Sequence, residues 1–528
     1  MIENSFLICY DTFTLFMGGS FVKKRFAICG TMALLLLLSA CGAPRTLDFS
    51  YVPEGEDLSA LMAEASQTHR AEMEHVPAAA DFADAISDDP ASAGLLSESD
   101  VQSLLRGHAV MELVSKEQAQ YDVSLLFRAL RSAYGAYEYF GREKFDAAED
   151  AVMQWLSAQN DNVKVPALGE KLQEGLAFML TCDAHAMIYE PAAEETEAQV
   201  RYEYFFAGGF YFSKDTDGSY YMMNGGERWT LSTFSDEHVS LQPTLLQDGR
   251  IVYQPTLFAL RKDAVQSSVT LKNSSGKTKI YRLDWTESQP LDIDLGTLDY
   301  RLIQEDGLTY VSLRSFVSGT YDNMLVRYAW EGAKARGSKA VIYDLRGNVG
   351  GSDSWPRKWI QSFLGTQSSI EFSVLYAQKN SALFAAANGE SLLPEDEGTC
   401  FAREVHGTWY ENDIPIIVLV DDHCGSSGEN AVQLLKTLDN VLVVGSNTAG
   451  YQLCGNISTF TLPYTGISVR FGSTLFLYGN GENVDHRGYA PDVWCDPQDA
   501  LASVLALLKE QGVVTADACE TVREKIMK

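Results

Sequence analysis

Two changes of pattern along the chain predict a multidomain α/β protein. From about residue 291 onward, short runs of Val, Ile and Leu alternate with helix-like segments. That is the pattern of a sheet layered with helices. Before that point the chain is first helical in pattern and then β-like. Its 528 residues exceed what one hydrophobic core usually serves, so two or three domains are expected.

The N-terminal stretch VKKRFAICGTMALLLLLSAC places Lys23, Lys24 and Arg25 before an apolar run. This is the layout of a secretory signal, too short to span a membrane as a mature helix. Leu38-Ser39-Ala40-Cys41 resembles the lipobox of bacterial lipoproteins. The resemblance implies removal of residues 1–40 as a signal peptide and a lipid on Cys41. It places the protein on the extracytoplasmic face of the bacterial cell membrane, lipid-anchored.

Residues 41–95 are expected to form an acidic tether. Between Glu54 and Asp100 there are twelve acidic residues and one basic residue, as in a solvated or partly helical spacer. Residues 96–195 predict a helical domain. Leu126, Leu130, Tyr134 and Tyr137 recur at helical spacing, and Gly141 suits a helix stop. Residues 200–290 predict a small β-rich domain. Aromatic and β-branched runs alternate with Gly, Asn and Asp turns, and SSGK suits a hairpin loop.

In the last domain, 291–515, LTYVSLRSF, AVIYDLRG, IPIIVLV and NVLVVGS predict buried strands. Helices are expected around 355–364 and 428–437, with further β-structure across ISTFTLPYTGISVRFGSTLFLY.

The net charge of -30 repels nucleic acid and anionic surfaces. No P-loop, HExxH or cysteine–histidine cluster occurs, so neither a nucleotide cofactor nor a metal is expected. Six cysteines follow Cys41 without CxxC spacing, either as free thiols or as disulfides of undetermined pairing.

Three small-residue turns carry the chemistry. They are YDLRGNVGGSDSW (343–355), DDHCGSSGENAV (421–432) and VVGSNTAGYQ (443–452), followed by VDHRGYAPDVW (484–494). A serine on a tight turn between a buried strand and a helix is presented outward. The N–H groups of the helix start can then face a developing oxyanion. A plain capped turn would show the same residues.

In order and spacing, over about 295–495, these pieces resemble the tail-specific, or C-terminal processing, serine proteases and the tricorn core protease. The resemblance implies a crotonase-like core, with the helical and β-rich regions where the family carries a helical domain and a PDZ domain. It places the nucleophile on Ser426. Oxyanion donors would be Ser427 and one of Gly350 and Gly351. Glycine there lets the backbone approach the reacting carbonyl closely.

The general base is open. Where the tail-specific proteases carry a lysine, this chain has Tyr451, and the stretch before the first core strand holds no tricorn-type histidine. Asp183-Ala184-His185 resembles the D-x-H element of several relatives, which makes His185 a candidate base. Asp485 sits at the family's late acidic position, with His486 beside it. Tyr451 is a further acid/base candidate. His423 is expected to be structural, Glu429 to be a helix-start carboxylate, and Asn447–Gly450 to be scaffold.

Two functions of different class follow. One is a serine endopeptidase acting on unfolded protein or peptide through an acyl-enzyme on Ser426. The other is a family member without its base, serving as a ligand- or peptide-binding module. A serine hydrolase of another ester or amide would share the nucleophile. The oligomeric state does not follow from the sequence.

Overall fold

The computed structural model describes residues 51–189, 202–260, 267–289, 291–293, 300–316 and 322–527. The signal segment and Cys41 lie outside them.

A ten-stranded sheet forms the centre. Its middle strands, Leu308–Leu313, Ala340–Asp344, Ile416–Val420, Val441–Gly445 and Val493–Trp494, run parallel. These short apolar runs alternate their side chains between two cores. Val341, Tyr343, Val418 and Val443 face one side with Trp355 and Trp359. Ile342, Ile417, Leu419 and Leu442 face the other with helix Ala500–Glu510. Parallel strands covered on both faces are apolar throughout rather than alternating.

A second, antiparallel sheet joins Cys400–Val405, Val374–Lys379, Ser468–Leu477 and Cys454–Thr461. The strand Met187–Tyr189 pairs with the first residues, 468–470, of its inner strand Ser468–Leu477. That pairing brings the end of the helical region to the core domain.

Three expectations about organisation change. The stretch expected to be a spacer carries helix Leu58–Met73, whose Leu58, Leu61, Met62 and Ala65 are buried against the central sheet. The two acidic residues within that helix, Glu64 and Glu72, are exposed on its outer face. The helical region shares one core with the antiparallel sheet, as Leu126, Leu130 and Phe145 pack with Phe460, Phe471 and Leu475. The β-rich region is divided. Val239–Leu245, Ile251–Leu260, Tyr202–Ala207 and Trp285–Glu287 extend the central sheet, and the rest forms a five-stranded sheet. The described residues thus form one compact unit.

The helix starting at Lys116 ends at Ala133, earlier than Gly141; a second short helix, Tyr137–Phe140, ends there. The SSGK hairpin forms as expected. No disulfide links any two of the six described cysteines.

Candidate active site

The turn after strand Ile416–Val420 enters helix Ser427–Leu435 through Ser426. Ser426 has φ 56° and ψ -122°. A non-glycine residue rarely holds this backbone, which costs about 1–3 kcal/mol unless its surroundings enforce it.

Glu429 does so from one turn ahead. Its buried carboxylate accepts the Ser426 N–H at 2.9 Å, the Tyr451 N–H at 2.8 Å, the Gly450 N–H at 2.9 Å and the Thr448 hydroxyl at 2.6 Å. Burial pushes this carboxyl up, and the four donors oppose that. Glu429 is therefore a helix-start carboxylate, as expected, and also a clamp between the serine turn and the 447–452 loop. Gln452 adds a bond from its amide nitrogen to the Ser426 carbonyl, 3.1 Å.

The glycine turn meets the serine turn backbone to backbone. Gly425 N–H donates to the Asn348 carbonyl at 2.9 Å. The Ser427 hydroxyl donates to the Gly351 carbonyl at 2.9 Å. A Cβ on Gly350, which has φ +97°, would lie 2.8 Å from Ser426 Cβ and 3.0 Å from the Ser427 nitrogen. The expected close approach is present.

Of the two glycines, Gly350 is corrected as a donor: its N–H is bound to Asn348 Oδ1 at 2.9 Å. The peptides flanking Gly351 bond Phe316, through the Gly350 carbonyl and the Ser352 N–H. The Gly351 N–H is not part of that bridge. Ser427 is the first residue of its helix, where N–H groups lack intrahelical partners.

Beneath these turns lies a buried ion cluster that the sequence did not reveal. Asp344 accepts both from Arg346, at 2.9 and 2.7 Å, and from Arg314, at 3.1 and 3.3 Å. Tyr310 adds its hydroxyl at 2.8 Å. Burial opposes the charged form, but the two guanidinium groups outweigh it and hold the Asp344 carboxyl far below the usual range. Arg314 lies 30 residues before Asp344, and no motif marks it.

The titratable candidates gather behind Tyr451. Ala184 N–H donates to Asp485 Oδ2 at 2.9 Å, across 301 residues of chain. Gln452 and Leu453 N–H groups donate to Asp485 Oδ1 at 2.6 and 2.8 Å. Burial, then the charge of Asp183, push the Asp485 carboxyl well up, against those three bonds. Asp183 itself accepts from Tyr134 at 2.7 Å and from the His185 N–H at 2.9 Å.

His185 is buried, and its Nδ1 makes no hydrogen bond. Burial lowers it to about 4, against the pull of Asp183. His486, with φ 63°, is lowered by burial too, again against Asp183.

Tyr451 touches both groups of residues. Its ring stands edge-on to His185, with centroids 5.2 Å apart. Its Cδ2 would lie 3.1 Å from a Cβ on Gly425. The structure thus brings Ser426, Ser427, Gly350 and Gly351 together. It brings His185 and Asp485 together as a second group, with Tyr451 touching each. Among the described residues, no histidine, lysine or tyrosine side chain hydrogen-bonds the Ser426 hydroxyl.

Residues 307–494 match the model of peptidase family S41. No curated protein matches the chain. Solved structures similar to it include mature CPAF, at 13% identity, covering 75% of this chain and 98% of that one, with a TM-score of 0.38. Another is the photosystem II D1 C-terminal processing protease, at 17% identity, covering 76% and 98%, with a TM-score of 0.36. A third is a lipoprotein from Streptococcus agalactiae, at 13% identity, covering 77% and 98%, with a TM-score of 0.34.

Proposed function

We propose that this chain, which carries a peptidase family S41 domain over residues 307–494, is a serine endopeptidase with a crotonase-like core and Ser426 as nucleophile. The observation that carries this reading is the strained Ser426 backbone, fixed by Glu429 against the glycine turn. Such strain is kept where the surroundings over-determine it, and it clusters at reactive positions.

In this reading the Ser426 Oγ attacks a peptide carbonyl while His185 Nδ1 takes its proton. The oxyanion forms against the Ser427 and Gly351 N–H groups. The C–N bond then breaks, and His185 returns the proton to the leaving amine. Water, deprotonated by the same base, hydrolyses the ester and frees Ser426. Asp485 holds the Ala184–His185 backbone through its bond to the Ala184 N–H. Tyr451 rotates from between the two groups for His185 to reach the hydroxyl. The substrate is unfolded protein or peptide, met at a membrane to which Cys41 tethers the chain by its lipid. No helix among the described residues is long and apolar enough to cross a membrane.

The second reading, a binding module, is favoured by the position of Tyr451, whose ring contacts both His185 and the serine turn. The test is incubation of the full chain with a mixture of unfolded proteins, with new peptide termini identified by mass spectrometry. The enzyme reading expects termini that vanish in Ser426→Ala and persist in Tyr451→Phe, which keeps the ring and loses the hydroxyl. No Ser426-dependent termini would favour binding. Loss of cleavage in Tyr451→Phe would make Tyr451 the acid/base group.

A further inference from the structure

Immediately before the serine turn, Asp421, Asp422 and His423 stand in sequence, with one ligand atom of each within 4.8 Å of the others. Asp421 is fully buried. Its Oδ1 accepts the Gly347 N–H at 2.8 Å and the His423 N–H at 3.2 Å. Its Oδ2 makes no hydrogen bond, nor does His423 Nδ1. His423 Nδ1 lies 4.0 Å from Asp421 Oδ2 and 3.8 Å from Asp422 Oδ1. Both distances are too long for a hydrogen bond, so the imidazole does not satisfy the buried oxygen.

A buried carboxylate oxygen without a donor or cation is costly. The nearby guanidinium groups cannot serve it, because Arg314 and Arg346 are both committed to Asp344. A divalent cation with bonds of about 2.0–2.2 Å fits between the three atoms after a small inward rotation. An imidazole ligand beside two carboxylates suits zinc-class ions better than magnesium or calcium.

We propose that Asp421, Asp422 and His423 bind one zinc-class divalent cation. Through Asp421 Oδ1 and the Gly347 N–H, that ion pins the serine turn to the glycine turn. The proposal stands apart from the peptidase reading, since its test reads metal rather than cleavage. Three consecutive residues match no ligand-spacing pattern, so no motif marks the site.

The full chain is stripped with chelator, given Zn²⁺, gel-filtered, and its metal counted by plasma mass spectrometry. Thermal unfolding is followed with and without zinc. Wild type is expected to retain one more zinc per chain than His423→Ala or Asp421→Asn, and to gain Tm with zinc where His423→Ala does not. An excess of Mg²⁺ is expected to leave the zinc in place. Equal zinc in wild type and His423→Ala would overturn the proposal, as would no retained zinc in wild type. His423 is partly exposed, so its alanine variant decides the matter even if Asp421→Asn does not fold.

Discussion

Ser426, at φ 56°, stands directly against Gly350, at φ +97°. The glycines of GNVGG pointed to close backbone approach, and Gly350 meets Ser426 with no space for a side chain. Which glycine keeps a free N–H was not legible, because it turns on the Asn348 side chain folding back to Gly350. The Gly350→Ala variant combines a left-handed φ with overlap on the Gly425 carbonyl. It is expected to lose about 3 kcal/mol of stability and all Ser426-dependent cleavage, as read by urea unfolding and the peptide-terminus assay. Gly479, at φ +52° with open space around it, serves as control. Its alanine variant is expected to keep the activity.

Among the elements, the buried strands of the last domain were the most legible. IPIIVLV and NVLVVGS contain the strands Ile416–Val420 and Val441–Gly445, because a strand covered on both faces has no polar positions. The antiparallel strands Val374–Lys379 and Cys400–Val405 were missed. The exposed residues of the second, such as Phe401 and Arg403, blur the pattern. The Asp344 cluster ties three elements together: the strand Leu308–Leu313 through Tyr310, the strand Ala340–Asp344, and the loop at Pro497 through Arg346. Asp344→Asn leaves two buried guanidinium groups undercompensated. It is expected to cost about 3–5 kcal/mol, measured as a lower urea midpoint with unchanged m-value.

Across the whole molecule, the candidate site is assembled from distant parts of the chain. The strand Met187–Tyr189 docks on Ser468–Leu477, and the Ala184 N–H meets Asp485. Resemblance marked Asp183-Ala184-His185, but spacing alone could not, because 241 residues separate His185 from Ser426. The separate domains expected from composition merge because each region's apolar face is completed by another's.

Burial of His185 also has a pH signature. Above pH 6.5 the ring is neutral both folded and unfolded. Below it the unfolded chain takes a proton that the folded chain refuses until pH falls to about 4. Stability is therefore lost as pH falls through that window, by up to about 3 kcal/mol. The stability difference between wild type and His185→Gln is expected to move in favour of the variant by that amount between pH 7 and 4.

In the proposed reading Ser426 is a nucleophile served by a base from the helical region. A serine-directed phosphonate probe tests it most directly, with adducts located by peptide mass spectrometry. One adduct is expected, on Ser426, forming at least about 100-fold more slowly in His185→Gln. An unlabelled Ser426, or equal labelling in the two proteins, would contradict it.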